Sequence, residues 1–243
     1  MTSPPRVALV TGAGRRVGRT IALAIGARGL HVVVHYNESA EGAEETANEI
    51  RRAGGRASVQ RADLSDVEAA ERLIDRVVEA QGGLSVLVNS AAVMVRTPVG
   101  EVSKARWDEL FALNVRAPFF LSQRAAPALS RSTGCIVNIA DLAAYETWPA
   151  YVPHSMTKAA VVQMTRGLAH ALAPAVRVNG VAPGVALLPE DWTEQDAEHL
   201  RRTTPLQRLG TPDDVAQAVL YLIDATYVTG EVITVDGGRR IRT

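Results

Sequence analysis

The chain has 243 residues, long enough for one large α/β domain with a sheet buried on both faces and short for two complete domains. Lysine plus arginine and aspartate plus glutamate each total 26, so no basic excess points to nucleic acid and no acidic excess to a cationic partner. No apolar run approaches the roughly 18 to 20 residues of a membrane span, and Met-Thr-Ser-Pro-Pro-Arg leads straight into a short apolar run, so the expectation is a soluble, cytoplasmic protein.

Strand-length apolar runs fall at 7–10, 31–34, 57–60, 84–88, 135–139, 176–181 and 232–235. They are rich in β-branched residues and lack clean alternation, as strands covered on both faces do. Between them, helical patterns cover 17–28, 40–53, 67–80, 104–129, 155–172 and 213–223, so the rhythm predicts βαβ units and a parallel sheet. Ser65-Asp66-Val67-Glu68 and Thr211-Pro212-Asp213-Asp214 each put an N-cap candidate three residues ahead of a carboxylate, and Gly54-Gly55 and Gly82-Gly83 stop the helices before them. No repeat or low-complexity linker divides the chain, which predicts a single domain over 1–243. Residues 187–204, with Pro189 and Trp192 among polar neighbours, break the rhythm and are expected to be irregular and mobile. Cys135, the only cysteine, sits in an apolar run and is expected to be a buried strand residue.

Thr11-Gly12-Ala13-Gly14-Arg15-Arg16-Val17-Gly18 follows the first strand and opens the first helix. Glycines there let the backbone approach a pyrophosphate, and the helix N-terminus offers unpaired N–H groups and partial positive charge. The bland alternative is a tight turn without a ligand. Cofactor choice turns on the end of the second strand, because a carboxylate there grips a ribose 2′-hydroxyl and repels a 2′-phosphate. Here the strand ends His35-Tyr36-Asn37, with no acid in that slot, and the Arg16 guanidinium suits phosphate. NADP(H) is therefore favoured over NAD(H), although Glu38 argues the other way if it turns inward. Ser39 either donates to the phosphate or caps the following helix.

The glycine spacing, Gly-x-Gly-x-x-x-Gly, resembles the turn of the short-chain dehydrogenase/reductase family, with Arg16 in place of the middle glycine. Further motifs follow in family order along essentially the whole chain: Asp63-Leu64, Asn89-Ser90-Ala91-Ala92, Asn114-Val115, the run from Arg177 to Gly184, Thr229-Gly230 and Val235-Asp236-Gly237-Gly238. The resemblance implies a single-domain Rossmann fold with a doubly wound, seven-stranded parallel sheet flanked by helices. It implies cofactor contacts at Gly12, Gly14, Arg15, Arg16, Val17, Gly18, His35, Tyr36, Asn37, Ser39, Asp63, Leu64, Asn89, Ser90, Ala91, Lys158, Pro183, Gly184 and Val185. No metal is implied.

Lysine is rare here: only Lys104 and Lys158 occur, so Lys158, within Ser155-Met-Thr-Lys158, invites a chemical role. By resemblance it holds the nicotinamide ribose, and Asn114 is a structural and catalytic asparagine. The family's proton donor is a tyrosine four residues before the lysine, on the same helix face. This chain has His154 there, and Asp141 where the family usually has serine. An imidazole titrates near working pH, and a nearby carboxylate favours its charged form. The expectation is an Asp141–His154 acid pair. Tyr151 is an alternative donor, but Pro153 is expected to start the helix and leave Tyr151 ahead of it. A site that binds dinucleotide and reduces nothing is the other alternative.

Asp141, Arg16 and the tail Asp236-Gly-Gly-Arg-Arg-Ile-Arg242 resemble the pteridine reductase and dihydromonapterin reductase branch, which implies NADPH-dependent reduction of a pterin or dihydrofolate C=N bond. Carbonyl reduction of the 3-oxoacyl or polyketide type is the alternative. Candidate substrate contacts are Met94, Asp141, Tyr151, Leu187 and Trp192. The helices over 104–129 and 155–172 resemble the family's dimerisation helices, implying a homotetramer or homodimer acting on a small molecule.

Overall fold

The computed structural model describes residues 6–186 and 193–241. Its centre is a seven-stranded, wholly parallel sheet in the order β3-β2-β1-β4-β5-β6-β7. The strands are β1 (Val7–Val10), β2 (His31–Tyr36), β3 (Arg56–Arg61), β4 (Val86–Asn89), β5 (Cys135–Ile139), β6 (Arg177–Pro183) and β7 (Val232–Val235). Winding runs outward from β1 to β3, then restarts at β4 on the other side of β1. The strand order therefore reverses between β1 and β4, where a crevice opens beyond the strand ends.

The helices are α1 (Arg16–Ala27), α2 (Ala40–Arg52), α3 (Val67–Gln81), α4 (Lys104–Phe111), α5 (Ala117–Arg131), α6 (Val152–Leu172), α7 (Glu194–Thr203) and α8 (Pro212–Asp224). Alternate residues of each central strand point to opposite layers. Ala8, Val10, Val32, Val34, Val86 and Val88 pack with Ile21, Ile25, Ile50 and Leu222 of α1, α2 and α8. Val7, Leu9, Val33, Leu87 and Ile136 pack with Leu73, Ile74, Leu121 and Leu129 of α3 and α5. Both faces are thus apolar, which is why the strands read as continuous runs. Cys135 is buried among them, and burial pushes its thiol pKa up.

Four local expectations change. The helix expected over 104–129 is α4 and α5 joined by a π-helical segment, Ala112–Arg116. The cap of α3 is Asp66, which accepts from the Glu68 and Ala69 amides, one residue later than Ser65. Helix α6 begins at Val152, whose φ of −53° and ψ of −50° are helical although Pro153 follows, so proline takes the second position. Within 187–204, residues 193–203 form a capped helix: Thr193 and Asp196 close a capping box on α7. Thr211 and Asp214 do the same on α8, as expected.

Candidate active site

The glycine turn is held from three sides. Thr11 Oγ1 accepts the Ser90 and Ala91 amides at 2.9 and 3.0 Å and donates to the Val88 carbonyl, tying the end of β1 to that of β4. Gly12 has φ +66°, and a Cβ there would lie 3.0 Å from Ala91 Cα; a Cβ on Gly18 would lie 2.3 Å from the Gly12 carbonyl oxygen. The N-terminus of α1 therefore closes directly under the turn, as a phosphate cradle requires.

His35 supplies the third side. Its Nδ1 accepts the Gly12 N–H at 3.1 Å, so Nε2 carries the hydrogen and donates to the Ala62 carbonyl at 3.1 Å. Burial holds its pKa down at about 4, with Arg76 adding to the effect and the Ala62 bond opposing it. Both nitrogens are committed to backbone, so the ring meets the cavity as a wall.

Arg15 and Arg16 stand exposed at the rim. Arg16 has φ +53°, the left-handed region that costs a non-glycine residue about 1–2 kcal/mol. Its guanidinium is therefore carried where the backbone alone would favour glycine. After β2, Tyr36, Asn37, Glu38 and Ser39 continue the same wall. Ser39 occupies the N-cap position of α2, yet its side chain makes no capping bond. Asp63 Oδ1 accepts from Ser65 N and Oγ, shaping the turn that carries Leu64.

At the other end, β5 delivers Asp141. One carboxylate oxygen caps the short 3₁₀ turn Leu142–Ala144 by accepting the Ala143 amide at 2.8 Å; the other lies 3.6 Å from His154 Nε2. His154 is 1% exposed, and neither ring nitrogen has a hydrogen-bond partner. One turn on, buried Lys158 donates from Nζ to the Ile139 carbonyl at 3.0 Å. Burial lowers the Lys158 pKa and the Asp141 charge opposes that.

The π-helical segment presents Asn114, whose amide bonds both the N–H and the carbonyl of Val93 at 2.9 Å and donates to Thr157 Oγ1 at 3.1 Å. Thr157 donates to the His154 carbonyl at 2.7 Å. Asn114 thus joins the loop bearing Met94 to the helix bearing His154 and Lys158.

One cavity of about 860 Å³ runs along both ends. Its lining includes every anticipated cofactor residue except Asn89, together with Met94, Asp141, Tyr151 and His154. Asn89 donates to Ser122 Oγ and Asn138 Oδ1 inside the core, so it braces strands β4 and β5. Asn114 is likewise buried behind the wall. Leu187 and Trp192 lie outside the described residues. Sequence reasoning passed over Trp148 and met Arg239 only as part of the tail, and the structure places both on the wall. Arg239 arrives on a C-terminal 3₁₀ turn, with Nε 3.9 Å from Glu146 Oε2. The density of aromatic residues at 145–151 was the available signal for Trp148. Among the described residues no His, Cys, Asp and Glu cluster could hold a metal, and no helix is long and apolar enough to cross a membrane.

Residues 12–240 match the family described as enoyl-(acyl carrier protein) reductase. A protein named as ketoacyl reductase 2 of granaticin polyketide synthase, from Streptomyces violaceoruber, is 40% identical, with 97% of this chain and 96% of that protein covered. A 3-oxoacyl-(acyl-carrier-protein) reductase of Staphylococcus aureus is 33% identical over 95% of this chain and 96% of its own. The solved structure of 7α-hydroxysteroid dehydrogenase complexed with NADH and 7-oxo glycochenodeoxycholic acid superposes with a TM-score of 0.92 at 32% identity, covering 96% of this chain and 93% of that one. This chain belongs to the short-chain dehydrogenase/reductase family and is an oxidoreductase.

Proposed function

We propose that the protein is an NADP(H)-dependent carbonyl reductase that converts a small-molecule ketone to an alcohol. The observation that carries this reading is the single cavity joining the glycine turn to the buried His154, Asp141 and Lys158. The residues fit a nicotinamide dinucleotide: the cradle at Gly12 and Gly18 has no room for a Cβ, and a buried imidazole without hydrogen-bond partners faces the far end. Arg16, the Ser39 hydroxyl and the absence of an acid at the end of β2 support the phosphorylated form, with Glu38 the opposing charge. The relatives are named for ketoacyl and hydroxysteroid chemistry, so a ketone displaces the pterin C=N bond as the leading substrate class. Asp141 is the feature that keeps the pterin reading as second.

When bound, the dinucleotide supplies a hydride to the carbonyl carbon. The pair displaced from the C=O bond would go to oxygen, and His154 would deliver a proton there; the ring, left neutral, would regain its proton from water entering the cavity that it lines once product leaves. The Asp141 carboxylate, 3.6 Å away, stabilises the charged ring before transfer. Lys158, fixed by Ile139, would hold the ribose, and Asn114 keeps the helix and the Met94 loop in register. The protein is proposed to work in the cytoplasm as a homotetramer or homodimer, in keeping with exposed Trp107, Phe119 and Met156 on the helices that resemble the family's dimer surface.

The test is calorimetric titration with NADPH and NADH, followed by loss of NADPH absorbance with a panel of ketones and pterins. Tight NADPH binding with ketone reduction is the expected result. Binding without turnover of any compound would make this a dinucleotide-binding protein that has lost its chemistry.

A further inference from the structure

Tyr145, Trp148 and Tyr151 fall in one short loop of a chain with only three tryptophans, five tyrosines and three phenylalanines. Trp148 and Tyr151 line the cavity beside His154. They are fixed before any ligand arrives: Trp148 Nε1 donates to Glu146 Oε2 at 2.9 Å, and the two rings meet edge to face with centroids 6.2 Å apart at 78°. The backbone is equally constrained. The Tyr151 amide donates to the Trp148 carbonyl at 2.8 Å, and the Thr97 amide, from the loop bearing Met94, donates to the Ala150 carbonyl at 2.7 Å. A rigid aromatic corner loses little conformational freedom on contact with a flat ring and gains the stacking and edge interactions that a saturated ring forgoes.

We infer that the Trp148–Tyr151 corner is a substrate subsite that selects ketones conjugated to a planar aromatic ring system over aliphatic ones. This rests on the carbonyl reductase reading and names its substrate class. Met94, 43% exposed on the same cavity, adds a polarisable thioether suited to a ring face.

Acetophenone and 2-acetylnaphthalene, matched against cyclohexyl methyl ketone, provide the test. Binding to the protein loaded with NADP⁺ is measured by calorimetry, and KM with NADPH separately. The aromatic ketones should bind about fivefold to tenfold more tightly than the saturated one, and Trp148→Leu should bring the ratio close to one with dinucleotide affinity unchanged. A ratio near one in the native protein overturns the inference, as does an unchanged ratio in the variant. If Trp148→Leu does not fold, the native ratio decides alone. Selective binding with no ketone reduced sinks the reductase reading and leaves the subsite standing; reduction without aromatic preference does the reverse.

Discussion

His35 Nδ1 accepts the Gly12 amide at 3.1 Å, a bond between the second strand and the glycine turn that exists only while the imidazole is neutral. With the other nitrogen donating to Ala62, the ring clamps the glycine turn to the loop leading to Asp63. The bond has a consequence in acid. The His35 pKa is lowered to about 4 in the folded chain from 6.5, so between those values the unfolded chain binds more protons and stability rises with pH. The stabilisation is complete above pH 6.5, and about 3 kcal/mol of it is lost as pH falls through 4. Denaturant unfolding of wild type and His35→Phe from pH 7 to 4 measures this. The variant should lack this part of the pH dependence and be less stable at pH 7 by about 1–3 kcal/mol, because the Gly12 amide and Ala62 carbonyl lose their partner. Parallel pH curves for the two proteins would remove the clamp.

Arg16 makes a prediction in which stability and affinity part company. Arg16→Gly relieves a left-handed backbone position worth about 1–2 kcal/mol, partly offset by the greater freedom of glycine in the unfolded chain. The protein without ligand should therefore be as stable as wild type or slightly more so. NADPH affinity should nonetheless fall about tenfold to a hundredfold, the worth of a charge-assisted bond to phosphate, while NADH affinity moves much less. Equal losses for the two dinucleotides would show that the guanidinium does not read the 2′-phosphate.

His154 and Asp141 predict a kinetic signature. His154→Ala should lower kcat by about 10²- to 10⁴-fold, the usual worth of a positioned acid, with NADPH binding preserved. Tyr151, Glu109 and Arg239 also line the cavity and Lys158 lies one turn away, so Asp141→Asn isolates the carboxylate. It should lower kcat in the same direction as His154→Ala, and the histidine NMR resonance that His154→Ala deletes should move, since the carboxylate lies 3.6 Å from the ring. His154→Tyr, which restores a phenol four residues before Lys158, should keep activity. If the alanine variant turns over like wild type, Tyr151 becomes the donor to examine.

The seven strands were legible because burial on both faces leaves an apolar run that needs no alternation to be recognised, and the glycine turn because its spacing is a steric demand. What escaped depends on long-range contact. The π-helical segment is held by Asn114 bonds to Val93 and Thr157, which no helical period encodes. Helix α7 buries only Ala197 and Leu200, too thin a stripe to register, although Thr193 and Asp196 spelled its cap. Asn89 belonged to the right turn, but its side chain serves the core rather than the cavity. Trp148 and Arg239 reach the wall from a loop and a tail whose paths follow from packing.

Gly18 and Gly83 make a matched pair for testing the cradle itself. A methyl on Gly18 would lie 2.3 Å from the Gly12 carbonyl oxygen and 2.9 Å from its carbon, so helix and turn must separate. A methyl on Gly83 meets nothing within 4 Å. Gly83→Ala should leave unfolding within about 0.5 kcal/mol of wild type and dinucleotide binding unchanged. Gly18→Ala should cost about 2–4 kcal/mol and displace the amides that face the phosphates, weakening NADPH and NADH alike. That shared loss distinguishes it from Arg16→Gly, where only the phosphorylated dinucleotide suffers. Retained affinity for both nucleotides in Gly18→Ala would mean that the turn tolerates separation from α1, and the pyrophosphate would then have to be held elsewhere along the cavity.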